Sequence, residues 1–430
     1  MKKEMKKTKE EKEHKKNWRE VYASPEEIQQ FLSERVMLRY NVVTHQTEVH
    51  MLTDFGDEIP QQVLWEPISD RVVNTLWREL SAQKTTRIQD VWLVIESDYV
   101  PEYNPFGFYL SRLPPWNDDL PDYIMELSLS VNVRGDSDEQ LLFYEYLRKW
   151  LVAMVAGWVD DTVVNNVMLV LIGEQGSYKT TWFNYLLPPE LKTYFYTKTN
   201  ANRMTKDDLL TLSQYGLICC EELDTMRPSE LNQLKAAMTM PAIDERAAYA
   251  RHKEHREHID SFCGTGNNVQ FLSDTTGNRR WLPFEVSSID SPRSSPFDDV
   301  GIYSQTYALY RQGFRYWFDA DEVRRLARHN EQFETPSLEK ELIDQYFRRP
   351  EGKEPAEKIP AALALQIVGA NITQKLSAVI LGRAFVALGY RYVTIKGSRH
   401  YLVVRRSGDE MRVMRQTVEG GDGGDGGAVF

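Results

Sequence analysis

The segment that most constrains this chain is the apolar run Val167-Met168-Leu169-Val170-Leu171-Ile172, followed by Gly173-Glu174-Gln175-Gly176-Ser177-Tyr178-Lys179-Thr180 and then Thr181-Trp182-Phe183-Asn184-Tyr185-Leu186-Leu187. The unbroken apolar run reads as a strand buried on both faces, and the last stretch reads as a helix. Strand, glycine-bearing loop, Lys-Thr and helix in that order are the parts of a phosphate-cradling P-loop, whose backbone N–H groups and helix dipole favour negative charge. Gly173, Gln175, Gly176, Ser177, Tyr178, Lys179, Thr180 and Thr181 are therefore the candidate phosphate-binding residues. Lys179 would place a point charge on the β- and γ-phosphates, and the Thr180 hydroxyl would ligate Mg²⁺. Tyr178 stands where the pattern G-x-x-x-x-G-K-[ST] has its second glycine, so the loop is predicted to close with ordinary dihedrals there. Taken alone, the loop also fits a plain β-turn-α connection.

A phosphate loop that hydrolyses its nucleotide needs acids. Leu217-Ile218-Cys219-Cys220-Glu221-Glu222 is an apolar strand ending in two carboxylates, with Asp224 just beyond. We assign Glu221 to the metal shell and Glu222 to the base that orients and deprotonates the attacking water; the reverse order stays open. Ile259–Asn268 then delivers Asn267 at a strand end, where its amide can bond a γ-phosphate or the lytic water, while Asn268 reads as a turn cap. Gly277-Asn278-Arg279-Arg280-Trp281 places two arginines before a further strand, and either can reach a neighbouring subunit's nucleotide. Between these, residues 243–258 mix Arg246, Tyr249, Arg251, Lys253 and Arg256 with His252, His255 and His258. Cations crowd those histidines, so a loop presented to nucleic acid fits better than a metal site.

The remaining sequence sets the organisation. Of 430 residues, 42% are hydrophobic and 11% aromatic, which is globular composition, and no apolar run reaches the length of a membrane span. Cys219, Cys220 and Cys263 lie in apolar runs and read as buried thiols of a cytoplasmic protein. The net charge of −11 excludes a nucleic-acid coat over the whole surface, but residues 375–406 hold seven Lys or Arg and no acid. We divide the chain into a charged tail (1–20), a mostly helical region (21–157), a P-loop α/β domain (158–334), a winged-helix-like domain (335–406) and a glycine-rich tail expected to be disordered (407–430). Ser24-Pro25-Glu26-Glu27 predicts a capped helix start. His45 and His50 read as structural, and Arg348–Pro355 as a charged linker or long loop. In the carboxyl domain, helices over 338–347, 360–369 and 375–388 precede two strands, Tyr390–Ile395 and His400–Val404. Lys375 and Arg383 would meet the major groove, with Lys396 and Arg399 on phosphate or minor groove.

GEQGSYKTT, LICCEELD, DERAAYARHKEHR, FCGTGNN and TGNRRWLPFEV, in this order, resemble the virulence-associated protein E family of phage and mobile-element proteins. The resemblance implies a superfamily 3-like AAA+ ATPase using ATP and Mg²⁺, with Lys179 and Thr180 on the nucleotide, Glu222 in hydrolysis, Asn267 as sensor and Arg279 or Arg280 as finger. It also implies single-stranded or forked DNA as partner, a homo-hexameric ring, and a separate primase, since the amino-terminal region shows no polymerase-like carboxylate cluster. The function so implied is a replicative helicase of a mobile element. A nucleotide-switched DNA-binding regulator and an ATPase of a defence system are the alternatives.

Overall fold

The computed structural model describes residues 22–52, 64–199, 206–245, 254–272, 278–335, 338–352, 354–369 and 376–410. The amino-terminal tail and residues 411–430, together with Arg246, Tyr249, Arg251, His252, Lys253 and Lys375, lie outside the described residues. The chain divides into two compact units, residues 1–269 with 276–332, and residues 270–275 with 333–430. Among the described residues no helix is long and apolar enough to cross a membrane.

The helix Pro25–Arg35 starts as the sequence predicts. The Glu27 N–H donates to Ser24 Oγ at 3.3 Å and the Ser24 N–H to Glu27 Oε2 at 2.7 Å, a reciprocal cap. Helices dominate the region up to residue 157, but it also holds a sheet that the sequence reading does not anticipate. Strands β1 (Val36–Asn41), β2 (Gln46–Met51), β3 (Glu66–Pro67) and β4 (Glu102–Tyr103) form a sheet in the order β3-β2-β1-β4. Its inner residues Val36 and Val49 share a core with the helices Pro25–Arg35, Asp70–Gln83 and Ile88–Ile95. The opposite face holds a polar set, Arg39 with the buried Asn41 and Glu48, beside Met37, and this mixture blurs the alternation by which a strand is recognised. His45 and His50 are structural here: His45 Nδ1 lies 3.3 Å from the Tyr40 hydroxyl and His50 Nδ1 lies 2.9 Å from the Leu64 carbonyl oxygen.

The central sheet is built from β5 (Val131–Val133), β6 (Met168–Ile172), β7 (Phe195–Lys198), β8 (Leu217–Cys220), β11 (Ser261–Gly266) and β12 (Trp281–Ile289), in the order β5-β12-β6-β11-β8-β7. A separate hairpin, β9 (Ala242–Glu245) with β10 (Glu254–Glu257), stands between β8 and β11 in sequence. All strand pairs of the central sheet are parallel except β5 against β12. Every residue of β6 and of β11 is buried, as a strand covered on both faces requires. The helix Ser137–Val159 packs into this core, capped by Asp136, which accepts the N–H groups of Asp138 and Glu139 at 3.1 Å each. Its fully buried Trp150 and Trp158 keep their indole N–H groups satisfied, donating to the carbonyls of Phe262 at 3.1 Å and Gly216 at 3.2 Å. The three cysteines are free and buried, as expected.

Asp299 opens the helix Asp299–Arg311 in the same unit, and burial pushes its carboxyl up to about 6 against the pull of Lys192. Its Oδ1 is buried without a hydrogen-bond partner. Because the folded value lies above the unfolded value of about 3.9, the folded state holds this proton more tightly, and stability falls as pH rises from about 4 to about 6. Asp299→Asn should remove this slope and melt above the native chain near pH 7, the difference closing near pH 4. Equal melting temperatures near pH 7 would count against it.

The carboxyl unit packs the helices Leu338–Tyr346, Ala361–Val368 and Ala378–Ala387 around Phe347, Phe385 and Tyr401. Strands β13 (Phe347–Arg348), β14 (Glu357–Pro360) and β15 (Tyr392–Ile395) all pair with the long β16 (Ser398–Arg405). Thus the stretch read as a linker begins in a strand, and Arg348 grips Glu354 with two hydrogen bonds of 2.6 Å each. The β15–β16 turn is tighter than predicted: Lys396 (φ 48°) and Gly397 (φ 79°) both lie in the left-handed region, as a two-residue type I′ hairpin needs.

Candidate functional site

Parallel pairing sets Ile172 beside Gly266 and Cys220 beside Gly264, so the carboxyl ends of β6, β8 and β11 lie side by side. The Gly173 N–H donates to the Gly266 carbonyl at 3.2 Å and ties the loop after β6 to β11. That approach needs glycine, since a Cβ at 173 would come within 2.8 Å of the Val286 carbonyl oxygen. Lys179, Glu221 and Asn267, far apart in sequence, are thereby delivered to one edge.

Lys179 is 7% exposed. Its ammonium donates to the carbonyls of Gly173 (2.8 Å) and Glu174 (2.7 Å), to Ser177 Oγ (3.2 Å) and to Asn267 Oδ1 (3.4 Å). Burial holds its pKa below the usual lysine range, with the Asp224 carboxylate opposing. An ammonium held in this way by neutral oxygens keeps its attraction for an anion. One residue on, Thr180 Oγ1 donates to Glu221 Oε1 at 2.8 Å, which joins the two residues expected to hold a metal. Gln175, Gly176 and Tyr178 are exposed along the loop, and Thr181 is half-buried in the first turn of the helix Lys179–Leu186.

Two residues at this edge sit in strained backbone. Glu222 is exposed with φ 54° and ψ 45°, where a non-glycine residue costs about 1–2 kcal/mol. Tyr178 has φ 62° and ψ 13°, which overturns the expectation of ordinary dihedrals. The loop keeps the left-handed turn that its pattern assigns to glycine, and the aromatic residue bears the steric cost. Tyr178→Gly should leave the activity of the loop largely intact and the melting temperature close to native, because relief of strain is offset by the greater freedom of glycine in the unfolded chain. Tyr178→Val, β-branched, should destabilise by about 1–2 kcal/mol relative to Tyr178→Gly. If the two variants melted alike, strain at this position would be refuted.

The sequence noticed Asp224 only as a neighbour of the acid pair. Its two carboxylate oxygens accept the backbone N–H groups of Asn267 and Asn268 at 3.1 Å each, across 43 and 44 residues of sequence. This clamp fixes the turn after β11 and aims Asn267 at Lys179. It also explains Gly266, where a Cβ would come within 3.1 Å of Asp224 Oδ1. No local pattern in the sequence signals a pairing over that distance.

The two arginines differ. Arg280 is half-buried and donates from Nη1 to the Lys235 carbonyl at 3.0 Å, whereas Arg279 is exposed. Of the residues expected to contact DNA, Arg256 must be corrected. It is 6% exposed and donates to the Leu210 carbonyl at 3.1 Å and Ser213 Oγ at 3.4 Å, so its guanidinium anchors the base of the β9–β10 hairpin instead of facing outward. His258 is buried as well, its Nε2 3.1 Å from the Asp260 carbonyl oxygen. In the carboxyl unit Arg383 is exposed between Val379, Ile380 and Val386 on one helix, Lys396 is exposed in the hairpin turn, and Arg399 lies 4.7 Å over the Tyr392 ring.

Residues 130–335, which include all three strand ends of this site, match the virulence-associated protein E-like domain. No curated protein matches the chain. Among solved structures, the apo structure of the NrS-1 C-terminal region is similar at 12% identity and a TM-score of 0.49, covering 89% of this chain and 99% of that one. An A-form apo structure of the same region gives 12% identity and a TM-score of 0.47, with 88% of this chain and 98% of that one covered.

Proposed function

We propose that this chain is an ATP-driven DNA helicase or translocase of superfamily 3 type, working as a homo-hexameric ring in the replication of a phage or mobile element. The observation that carries the reading is the meeting of Lys179, Thr180, Glu221 and Asn267 at one parallel-strand edge, Lys179 and Asn267 being 88 residues apart. Mg²⁺ takes hard oxygen ligands, and the Thr180 hydroxyl and Glu221 carboxylate, in contact at 2.8 Å, are such donors. When bound, the ion would neutralise charge on the β- and γ-phosphate oxygens. Lys179 exchanges its neutral oxygens for phosphate oxygens, a stronger, charge-assisted partnership. Glu222 orients the attacking water and accepts its proton, and the Asn267 amide bonds the γ-phosphate. Head-to-tail packing brings Arg279 of one subunit to the nucleotide of the next.

The carboxyl unit, three helices and a hairpin with Arg383 and Lys396 exposed, supports a winged-helix-like DNA-binding role. That observation also favours a second reading, a nucleotide-switched DNA-binding regulator. Strand displacement on a forked duplex with ATP separates the two: the helicase unwinds, the regulator binds without unwinding, and absence of ATP turnover on any DNA removes the leading reading. Electron microscopy with forked DNA and a non-hydrolysable analogue tests the ring.

A further inference from the structure

The amino-terminal sheet has a face that the ATPase reading leaves unused. Register places Met37 opposite His50, Arg39 opposite Glu48 and Tyr103 beside Asn41. By strand alternation these share the face turned away from the core residues Val36 and Val49. Rings and guanidinium groups form a ladder across it. The Arg39 guanidinium lies 4.1 Å from the Trp65 ring centre and 3.6 Å from that of Tyr103. Tyr103 is 5.5 Å from Phe108, and Arg112 lies 5.2 Å over Phe108 at the end of the ladder. Phe108 is 49% exposed.

On this face the cations Arg39 and Arg112 meet the carboxylates of Glu48 and, in the adjoining recess, Glu190, so a phosphate is drawn to the Arg112 end. The Glu48 carboxylate is bound by Arg39 and Asn41 at 2.6 Å each. Glu66 stands opposite Val49 and Glu102 beside Tyr40, so both belong to the other face. Arg112 is exposed. Beside the ladder lies a recess of about 290 Å³, lined by Tyr103, Phe108, Arg112, Leu113, Pro114 and Glu190. Tyr109 also lines it, 9% exposed, with a buried hydroxyl that has no hydrogen-bond partner. Burial pushes the Tyr109 pKa up, so the hydroxyl keeps its proton and remains a donor.

We propose that this face is a stacking platform for single-stranded DNA, with bases on Trp65 and Phe108, a phosphate beside Arg112, and one base edge in the recess accepting a hydrogen bond from Tyr109. Every base has a π-face, so such a platform is tolerant of sequence, and guanidinium groups between rings add cation–π attraction. The choice of DNA as partner rests on the reading above; the geometry of the platform does not.

The test uses the full chain without nucleotide. Photocrosslinking to a bromodeoxyuridine-substituted single strand, mapped by mass spectrometry, should label Trp65, Tyr103 or Phe108. Anisotropy titration with labelled oligo-dT should weaken about 10-fold in Trp65→Ala/Phe108→Ala, with DNA-independent ATP turnover unchanged. Tyr109→Phe removes one oxygen atom and serves where the double variant fails to fold; it should weaken binding about threefold at an unchanged melting temperature. Crosslinks confined to other residues, or unaltered affinity in folded variants, overturn the platform, as does competition for the face by an apolar peptide and not by oligonucleotide. A native chain that hydrolyses no ATP yet crosslinks at these residues would remove the ATPase reading and leave the platform standing.

Discussion

Lys179→Ala is expected to lower ATP turnover by about 10²–10³-fold, the scale seen when one preorganised electrostatic donor is removed from an active site. The ammonium is already poised: it is buried, its pKa is pulled below the usual lysine range, and its four acceptors are all uncharged. Phosphate oxygens arriving at this position meet a cation whose desolvation has been completed by folding. Deleting the side chain leaves carbonyls of Gly173 and Glu174 beside an anion, which repels where it formerly attracted. The fold should persist, because the loop remains tied to β11 through Gly173 and Gly266. Melting and turnover measured on the same preparation decide the matter. Turnover within about threefold of native in a folded variant would sink the assignment of Lys179 to the nucleotide.

How much of this site is legible in the sequence follows the range of the interactions. The loop from Gly173 to Thr180, the acids after β8 and Asn267 after β11 each sit at the end of an apolar run, and a run that ends in polar residues can be read locally. Which acid touches the threonine of the loop could not be read that way. The Thr180–Glu221 hydrogen bond depends on strand order. The Asp224 clamp and the burial of Arg256 are equally non-local, since both are set by packing between segments more than forty residues apart. Tyr178 shows a different limit. Its type argues for an ordinary dihedral, yet the turn into the helix demands φ of 62°, and the surrounding loop overrides local preference. The amino-terminal sheet escaped notice because its strands are two to six residues long and carry a polar network on one face.

Arg279→Ala is the other change with a large expected effect, about 10³–10⁵-fold in ATP turnover, the range for a finger that stabilises charge on a transferred phosphoryl group. Arg280→Ala should cost about 1 kcal/mol of stability through the lost bond to the Lys235 carbonyl and leave turnover near native, because its guanidinium is committed within its own subunit. The exposed Arg279 has its expected partner in a neighbouring copy, which makes a mixing experiment decisive. A Lys179→Ala subunit has a dead nucleotide site and an intact finger, and an Arg279→Ala subunit has the reverse. In rings assembled from equal amounts of both, about a quarter of interfaces pair an intact site with an intact finger. Turnover should therefore rise well above that of either variant alone. If the mixture is as inactive as its components while electron microscopy shows mixed rings, Arg279 does not act across the interface, and the head-to-tail catalytic arrangement fails with it.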